Sequence, residues 1–115
     1  MFGRQIGMNQ GVQHPLARNW AELEAANHMM LSAANLYDKG LSCGSEANAA
    51  KLLASEASWE AANVAVQTHG GFGFAEDYDI ERKFRETRLY QVAPVSTNLI
   101  LAYVAEHVLG LPRSY

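Results

Sequence analysis

The sequence contains little of what disulfide-bonded, metal-binding or nucleic-acid-binding proteins require. Cys43 is the single cysteine among 115 residues, so no disulfide can form within the chain. The four histidines are scattered without the spacing of metal ligands, which predicts no metal site. The formal net charge is -3 and no cluster of Lys or Arg occurs, which excludes a basic nucleic-acid surface. We therefore expect a reduced thiol and no metal or nucleic-acid ligand.

Long apolar runs are absent as well. No segment approaches the roughly 18 consecutive apolar residues of a membrane span. The first residues of the chain also lack the apolar stretch of a secretory signal. The length allows one domain, or a piece of a larger one. Together these absences predict a cytoplasmic protein with a single compact core.

Alanine dominates what is present. Eighteen residues are Ala, which has the lowest free-energy cost in a helix and lets helices approach closely. The nine glycines fall in a few clusters, and the stretches between them are long enough for helices of three to six turns. The composition therefore predicts an all-α fold.

Glycine clusters, capping residues and apolar spacing divide the chain into elements. After an irregular lead-in over residues 1–14, they predict four helices at about 15–40, 45–69, 79–91 and 96–109. Pro15 suits the first position of the first helix, and Gly40 suits the residue that follows its end. The later helices have the expected N-caps Ser45, Asp79 and Ser96.

The apolar positions indicate which faces these helices bury. Residues that step by four and three mark one face of the first helix: Leu16, Trp20, Leu23, Asn27, Met30, Ala34 and Tyr37. The second helix carries a stripe of small residues, which favours close helix packing. The last helix is apolar almost all round and must be covered on several sides. The three other helices, one of them short, can scarcely cover it, which predicts a missing packing partner.

Few residues suggest chemistry by themselves. The segment 67–74 places three glycines in four positions, where backbone amides could approach a phosphate or diphosphate. It follows a helix rather than a strand, so neither nucleotide-binding fingerprint applies, and a helix C-cap with a tight turn is the simpler interpretation. The charged run 81–88 is typical of a solvated helix face, with ion pairs Glu81–Arg85 and Arg82–Glu86.

Several motifs in sequence nevertheless resemble one family. Gln67-x-x-Gly70-Gly71-x-Gly73-Phe74 is followed by Tyr78-x-Ile80-Glu81-Arg82 and Arg85-Glu86-x-Arg88. The opening Phe2-Gly3-Arg4-Gln5-Ile6-Gly7 precedes Gln10-x-x-Gln13-His14. Their order and spacing resemble the C-terminal helical domain of the acyl-CoA dehydrogenases from residue 2 to about 110. The resemblance implies an antiparallel helical bundle whose first helix is missing here, so that the chain represents roughly the last third of a family member.

The resemblance also implies a cofactor, FAD, bound between subunits. Its contacts would come from Phe2 and Gln10 near the start, from Gln67, Gly70 and Gly71 at the diphosphate, and from Ser96 and Asn98 near the flavin. Many members carry a catalytic Glu just before the last helix, but Pro94 stands at that position and has no ionisable group. We therefore expect no catalytic residue in this chain.

The function implied is that of a piece of a flavin-dependent acyl-CoA dehydrogenase, inactive alone. The whole protein would oxidise an acyl-CoA thioester between its α and β carbons and pass electrons to an acceptor. Homo-oligomers are expected, since this domain meets neighbouring subunits in the family. Two alternatives stay open: a non-catalytic helical interaction module derived from this fold, or part of a related flavoenzyme such as an acyl-CoA oxidase.

Overall fold

A computed structural model describes residues 3–114 as an assembly of α-helices without strands in that range. Its four helices are α1 (Gln10–Asp38), α2 (Gly44–His69), α3 (Ile80–Leu89) and α4 (Thr97–Tyr103). Three short 3₁₀ turns lie at Ile6–Met8, Gly70–Phe74 and Glu76–Tyr78, and α4 continues into a π-helical turn, Val104–Val108. The all-α fold expected from the sequence is confirmed.

The first helix begins at Gln10, five residues before the expected start, so Pro15 lies inside it. The start is held by Asn9, whose carbonyl accepts the amides of Val12 and Gln13 at 3.0 Å. Arg4 donates to the side chain of Asn9 at 2.6 Å. These contacts stabilise the first turn of α1, although Pro15 has no backbone N–H to donate within the helix. Residues 10–14 are therefore helical and not irregular as expected.

Two of the expected caps differ from the structure. The residue before α2 is Cys43, and Ser45 lies inside the helix without capping it. Asp79 does precede α3, but with a φ of 58° it has left-handed backbone and its side chain does not cap the helix. The cap at Ser96 is confirmed, since its hydroxyl accepts the amide of Leu99 at 3.3 Å. Gly40 has a φ of 68°, as a residue after a helix end should.

The long helices α1 and α2 form an antiparallel hairpin joined by a short loop. From α1 the buried residues in this contact are Asn19, Ala26 and Ala33, spaced by seven, and α2 contributes Ala50 and Ala57. A spacing of seven with small side chains is that of closely packed helices. The face of α1 with the most apolar sequence is therefore not the one that packs on α2.

The other face of α2 receives α3 and α4, so α2 is the central helix. Trp59 of α2 lies 6.0 Å from Phe84 of α3, measured between ring centroids. Ile100 of α4 is the largest side chain that is fully buried. At the start of α2, a Cβ added to Gly44 would lie 2.5 Å from the Tyr103 hydroxyl, so a glycine there lets α4 approach. The helices form three layers, with α1 on one side of α2 and α3 and α4 on the other, so the core is limited to the two faces of α2.

Candidate functional site

Two glycines shape the glycine-rich turn after α2, one through its backbone conformation and the other through close packing. Gly70 has φ 58° and ψ -135°, a conformation open to glycine, and its amide donates to the carbonyl of Gln67. Gly73 is buried against α2, where an added Cβ would lie 2.9 Å from the carbonyl oxygen of Val66. The turn therefore folds back tightly on the last turn of α2.

Aromatic side chains of the turn and of the residues on either side of it pack against one another. The ring of Tyr78 lies 5.5 Å from that of Phe72 and 6.3 Å from that of His69, between centroids. Nδ1 of His69 lies 2.9 Å from the carbonyl of Ala65, which orients the imidazole along the end of α2. The contacts join the end of α2 to the segment before α3, so the turn has a fixed shape.

A cleft of about 590 Å³ opens between the end of α2, the glycine-rich turn and α3. It is lined by amide, aromatic and charged side chains together with glycine backbone: Asn63, Gln67, Gly70, Phe74, Glu81 and Arg85. Gln67 and Phe74 are exposed and accessible to a ligand. Such a mixture of apolar wall and a few polar groups is typical of a site for a cofactor or small molecule.

The space beside the glycines is open. A Cβ added to Gly70 or Gly71 would meet no protein atom within 4 Å. Unlike at Gly73, a larger side chain at these two positions would not collide with the rest of the protein. The absence of side chains there lets a ligand approach the backbone closely. Gln67 lies on the last turn of α2 beside this open backbone and presents an amide that can donate and accept. These features fit a diphosphate bound against the turn.

The charges around the cleft are paired. Arg85 donates to Glu81 at 2.8 Å, which raises the pKa of the Arg85 guanidinium above its ordinary value. Arg82 donates to Glu86 at 2.9 Å and to Asp79 at 3.2 Å. The hydrogen bond from Arg82 lowers the pKa of the Asp79 carboxyl. The two expected ion pairs are present, and the Arg85–Glu81 pair places both of its charges in the cleft lining.

The loop before α4 is anchored to the middle of α2. Gln91 donates to the carbonyl of Ser55 at 3.4 Å and accepts the amide of Thr97 through its own carbonyl at 3.0 Å. Lys51 donates to the carbonyl of Tyr90. Pro94 lies exposed in this loop and offers no proton-accepting group. The structure fixes the loop's position without supplying a base there.

The structure does not gather every expected site residue in one place. Ser96 and Asn98 lie at the start of α4, beside a loop anchored at Ser55 in the middle of α2. Gly70 follows the end of α2, fifteen residues after Ser55, which corresponds to a rise of about 22 Å along a helix. Gln10 is the first residue of α1, and among residues 3–114 this helix makes no contact with the glycine-rich turn. Phe2 lies outside the described residues.

Two cleft residues escaped the sequence reasoning. Asn63 lies one helical turn before Gln67, so the spacing of four residues could have placed both amides on one face. Arg85 lies on a solvated helix face as expected, since its side chain is 69% exposed, and only the fold shows that α3 packs beside the turn so that this residue also lines the cleft. No local pattern signals that contact.

Two expected absences can be examined within residues 3–114. No group of three or more His, Cys, Asp or Glu side chains there could hold a metal ion. No helix in that range is long and apolar enough to cross a membrane.

Comparison with known proteins gives a consistent result. Residues 1–109 match the family model described as "Acyl-CoA dehydrogenase, C-terminal domain". The acyl-CoA dehydrogenase FadE12 of Mycobacterium tuberculosis is 45% identical over 100% of this chain and 30% of its own length. An acyl-CoA dehydrogenase of Bacillus subtilis is 39% identical over 95% of this chain and 29% of its own. The chain thus spans about 30% of the length of these curated relatives.

A solved structure has the same fold. It is described as "Electron transferring flavoprotein of Acidaminococcus fermentans: Towards a mechanism of flavin-based electron bifurcation". Its matching chain superposes with a TM-score of 0.92 at 30% identity and covers 95% of this chain and 29% of its own length. The chain therefore belongs to the acyl-CoA dehydrogenase family, to whose C-terminal domain it corresponds.

Proposed function

We propose that the chain is the FAD-facing and subunit-associating domain of a flavin-dependent acyl-CoA dehydrogenase. In the whole protein, a base removes a proton from the α-carbon of an acyl-CoA thioester while a hydride leaves the β-carbon. FAD, when bound, supplies the hydride acceptor and passes electrons to a further acceptor. The isolated 115 residues are inactive in this proposal.

One observation carries the cofactor assignment: the open backbone at Gly70 in the cleft and at the adjacent Gly71. An anionic diphosphate needs donors and close approach more than it needs a deep pocket. The turn offers glycine backbone, the amide of Gln67 and the guanidinium of Arg85 on one wall. In the proposal, these groups hold the diphosphate of an FAD that lies mainly in a neighbouring subunit.

The remaining cofactor residues are assigned by their positions in the family motifs. Phe2 and Gln10 belong to the opening motif, and Ser96 and Asn98 to the start of α4. The start of α4 lies beside a loop tied to the middle of α2, whereas the glycine-rich turn follows the end of α2. We assign Ser96 and Asn98 to the flavin ring and the turn to the diphosphate, as a cofactor bound across subunits allows.

The proposed inactivity of the isolated chain rests on Pro94. The loop that bears it is exposed and tied to α2, and Pro94 has no group that can accept a proton. In this proposal, Pro94 stands where many family members have their catalytic Glu, and no base acts from that position. Activity of the whole protein then depends on a base outside this chain.

We also propose that the whole protein is located in the cytoplasm.

A second function is favoured by a different observation. Large apolar side chains are exposed on α1 and α4, among them Trp20, Leu99 and Leu101. A helical interaction module, without flavin, would use such a surface for a partner. Flavin absorbance in purified whole protein separates the two functions, since only the dehydrogenase requires a bound cofactor.

The proposal is tested by FAD binding in two proteins. Calorimetric titration of the isolated chain should give no sub-micromolar affinity, because most of the cofactor's contacts lie elsewhere. A chimera that carries this chain in place of the matching 30% of the M. tuberculosis relative should bind FAD. A chimera that folds but never holds flavin contradicts the proposal, as does tight binding by the isolated chain.

A further inference from the structure

Gln91 joins three helices through its side chain and its backbone. Its Nε2 donates to the carbonyl of Ser55 in the middle of α2 at 3.4 Å, and its Oε1 accepts a hydrogen bond from the guanidinium of Arg88 in the last turn of α3. Its main-chain carbonyl accepts the amide of Thr97, the first residue of α4, at 3.0 Å. The residue is half-buried, so this junction of three helices is partly shielded from water.

The face of α2 that receives this amide makes contacts over three successive turns. Lys51, Ser55 and Trp59 are spaced by four residues and therefore share one face of the helix. Lys51 donates to the carbonyl of Tyr90, and the Arg88 guanidinium lies 5.7 Å from the centre of the Trp59 ring. The segment that leads from α3 into the amide is therefore held on α2 as well.

Thr97 is the residue through which this anchor reaches α4. The amides in the first turn of a helix have no partner within the helix and need an acceptor outside it. The Gln91 carbonyl is the acceptor for Thr97, and the Ser96 hydroxyl is the acceptor for Leu99 at 3.3 Å. The first turn of α4, which also contains the exposed Asn98, therefore takes its position from the Gln91 backbone.

The loop from Gln91 to the start of α4 is short and stiff. The amides of Val92 and Ala93 donate to the carbonyl of Leu89 at 3.0 and 2.9 Å. Pro94 follows, with a φ angle restricted by its ring. Such a loop passes a displacement of Gln91 on to α4 instead of absorbing it.

We propose that Gln91 is a positioning residue for the flavin ring of FAD. Its side-chain amide, held between α2 and α3, sets where α4 begins and thereby where Asn98 meets the ring, while Ser96 caps the same turn. This role rests on the function proposed above and adds the residue that places the groups at the ring. Gln91 itself does not touch the cofactor.

The reduction potential of flavin bound to the chimera described above tests this role. Gln91→Met keeps the length of the side chain and removes both of its hydrogen bonds. We expect Asn98 then to lose a hydrogen bond to the reduced ring, which changes the ratio of oxidised to reduced flavin affinities by up to about tenfold. That ratio corresponds to about 30 mV for a two-electron couple. The dissociation constant of oxidised FAD should change by less than about threefold, because the diphosphate contacts at the glycine-rich turn are untouched.

A double-mutant cycle separates positioning from a loss of stability. Asn98→Ala removes the side chain through which Gln91 acts, so Gln91→Met should shift the potential less in an Asn98→Ala background than alone. Asn48→Leu is the matched control. Asn48 is also a half-buried amide that donates to a backbone carbonyl, that of Gly44 at 2.8 Å, but this bond stays within α2. The control variant should leave the potential unchanged even where it lowers the Tm.

Three results would overturn the inference. An unchanged potential in Gln91→Met with FAD bound shows that the ring is placed independently of this residue. Equal shifts with and without Asn98, or an equal shift in Asn48→Leu, show a general loosening of the domain. If Gln91→Met does not fold, Lys51→Met removes the neighbouring contact to Tyr90 instead, and an unchanged potential there has the same meaning. A chimera that folds but never holds flavin contradicts the proposed function itself, whereas the three results above leave FAD binding intact.

Discussion

Replacing Gly73 by alanine tests whether the glycine-rich turn is packed as tightly as the structure indicates. A Cβ at this position would lie 2.9 Å from the carbonyl oxygen of Val66 and 3.0 Å from its Cα. Both atoms belong to the backbone of α2 and cannot rotate away as a side chain would. The φ angle of Gly73 is not positive, so the cost arises from packing and not from backbone strain.

The size of the effect follows from two opposing contributions. Forcing a methyl group into a filled site costs about 1–3 kcal/mol. Replacing glycine by alanine restricts the unfolded chain and returns about 0.4–1 kcal/mol. The net loss in the free energy of unfolding is therefore about 1–2 kcal/mol, which lowers the Tm by roughly 5–10 °C in a domain of this size.

Thermal unfolding followed by circular dichroism at 222 nm measures this, with Gly71→Ala as the control. An added Cβ at Gly71 meets no atom within 4 Å, so this variant should have an unchanged or slightly raised Tm. If Gly73→Ala melts with the wild type, the close approach of turn and helix does not exist in solution. An equal loss in both variants would show that the turn is intolerant for another reason.

Three further predictions follow from particular residues. Ser96→Ala should cost about 1 kcal/mol of stability in urea unfolding, because its hydroxyl caps α4, whereas Ser45→Ala, which removes no cap, should cost less than about 0.3 kcal/mol. The pKa of Asp79 in an NMR titration should lie below its ordinary value of 3.8 and return toward it in Arg82→Gln. Because the folded pKa is lowered, the pair's stabilisation is present above pH 3.8 and is lost as the pH falls through the folded value. Pro94→Glu in the isolated chain should give no turnover of an acyl-CoA in a dye-reduction assay, since a base without flavin has no hydride acceptor; measurable turnover would refute the inactivity of the fragment.

The helix ends show what local sequence can predict. Gly40, Gly70 and Gly110 all have positive φ, between 58° and 69°, as residues after a helix should. These positions are set by the chemistry of one residue and its immediate neighbours. The start of α1 is different, because it depends on Asn9, whose carbonyl and side chain collect bonds from residues up to five positions away. Gly11 and Pro15 led the sequence analysis to place the start of this helix five residues too late.

The packing of faces could be predicted only in part. The apolar face of α1 was recognised, and the structure leaves it exposed: Trp20 is 67% accessible. The face that packs on α2 contains Asn19, Ala26 and Ala33, whose small or polar side chains give no hydrophobic signal. Which of two faces meets which partner is decided by tertiary contacts, and a periodicity within one helix does not contain them.

The candidate site divides in the same way. Gln67, Gly70 and Gly71 could be proposed from the sequence because they lie within five residues of one another and form a motif. The cleft itself depends on α3 packing beside the turn, which brings Arg85 and Phe74 to one wall. Asn63 could have been added from its spacing on α2 alone. The position of the Pro94 loop, fixed by Gln91 on Ser55, depends on residues 36 positions apart and had no local signal.

The most direct test of the central claim, that the turn after α2 binds the diphosphate of FAD, is the FAD dissociation constant of the chimera described above. The account predicts that Gln67→Ala weakens FAD binding by about tenfold, the loss of one or two hydrogen bonds to a charged group. Asn35→Ala, an exposed amide on α1 away from the cleft, should leave the constant unchanged. Equal affinities for the Gln67→Ala, Asn35→Ala and unmodified chimeras would contradict the claim.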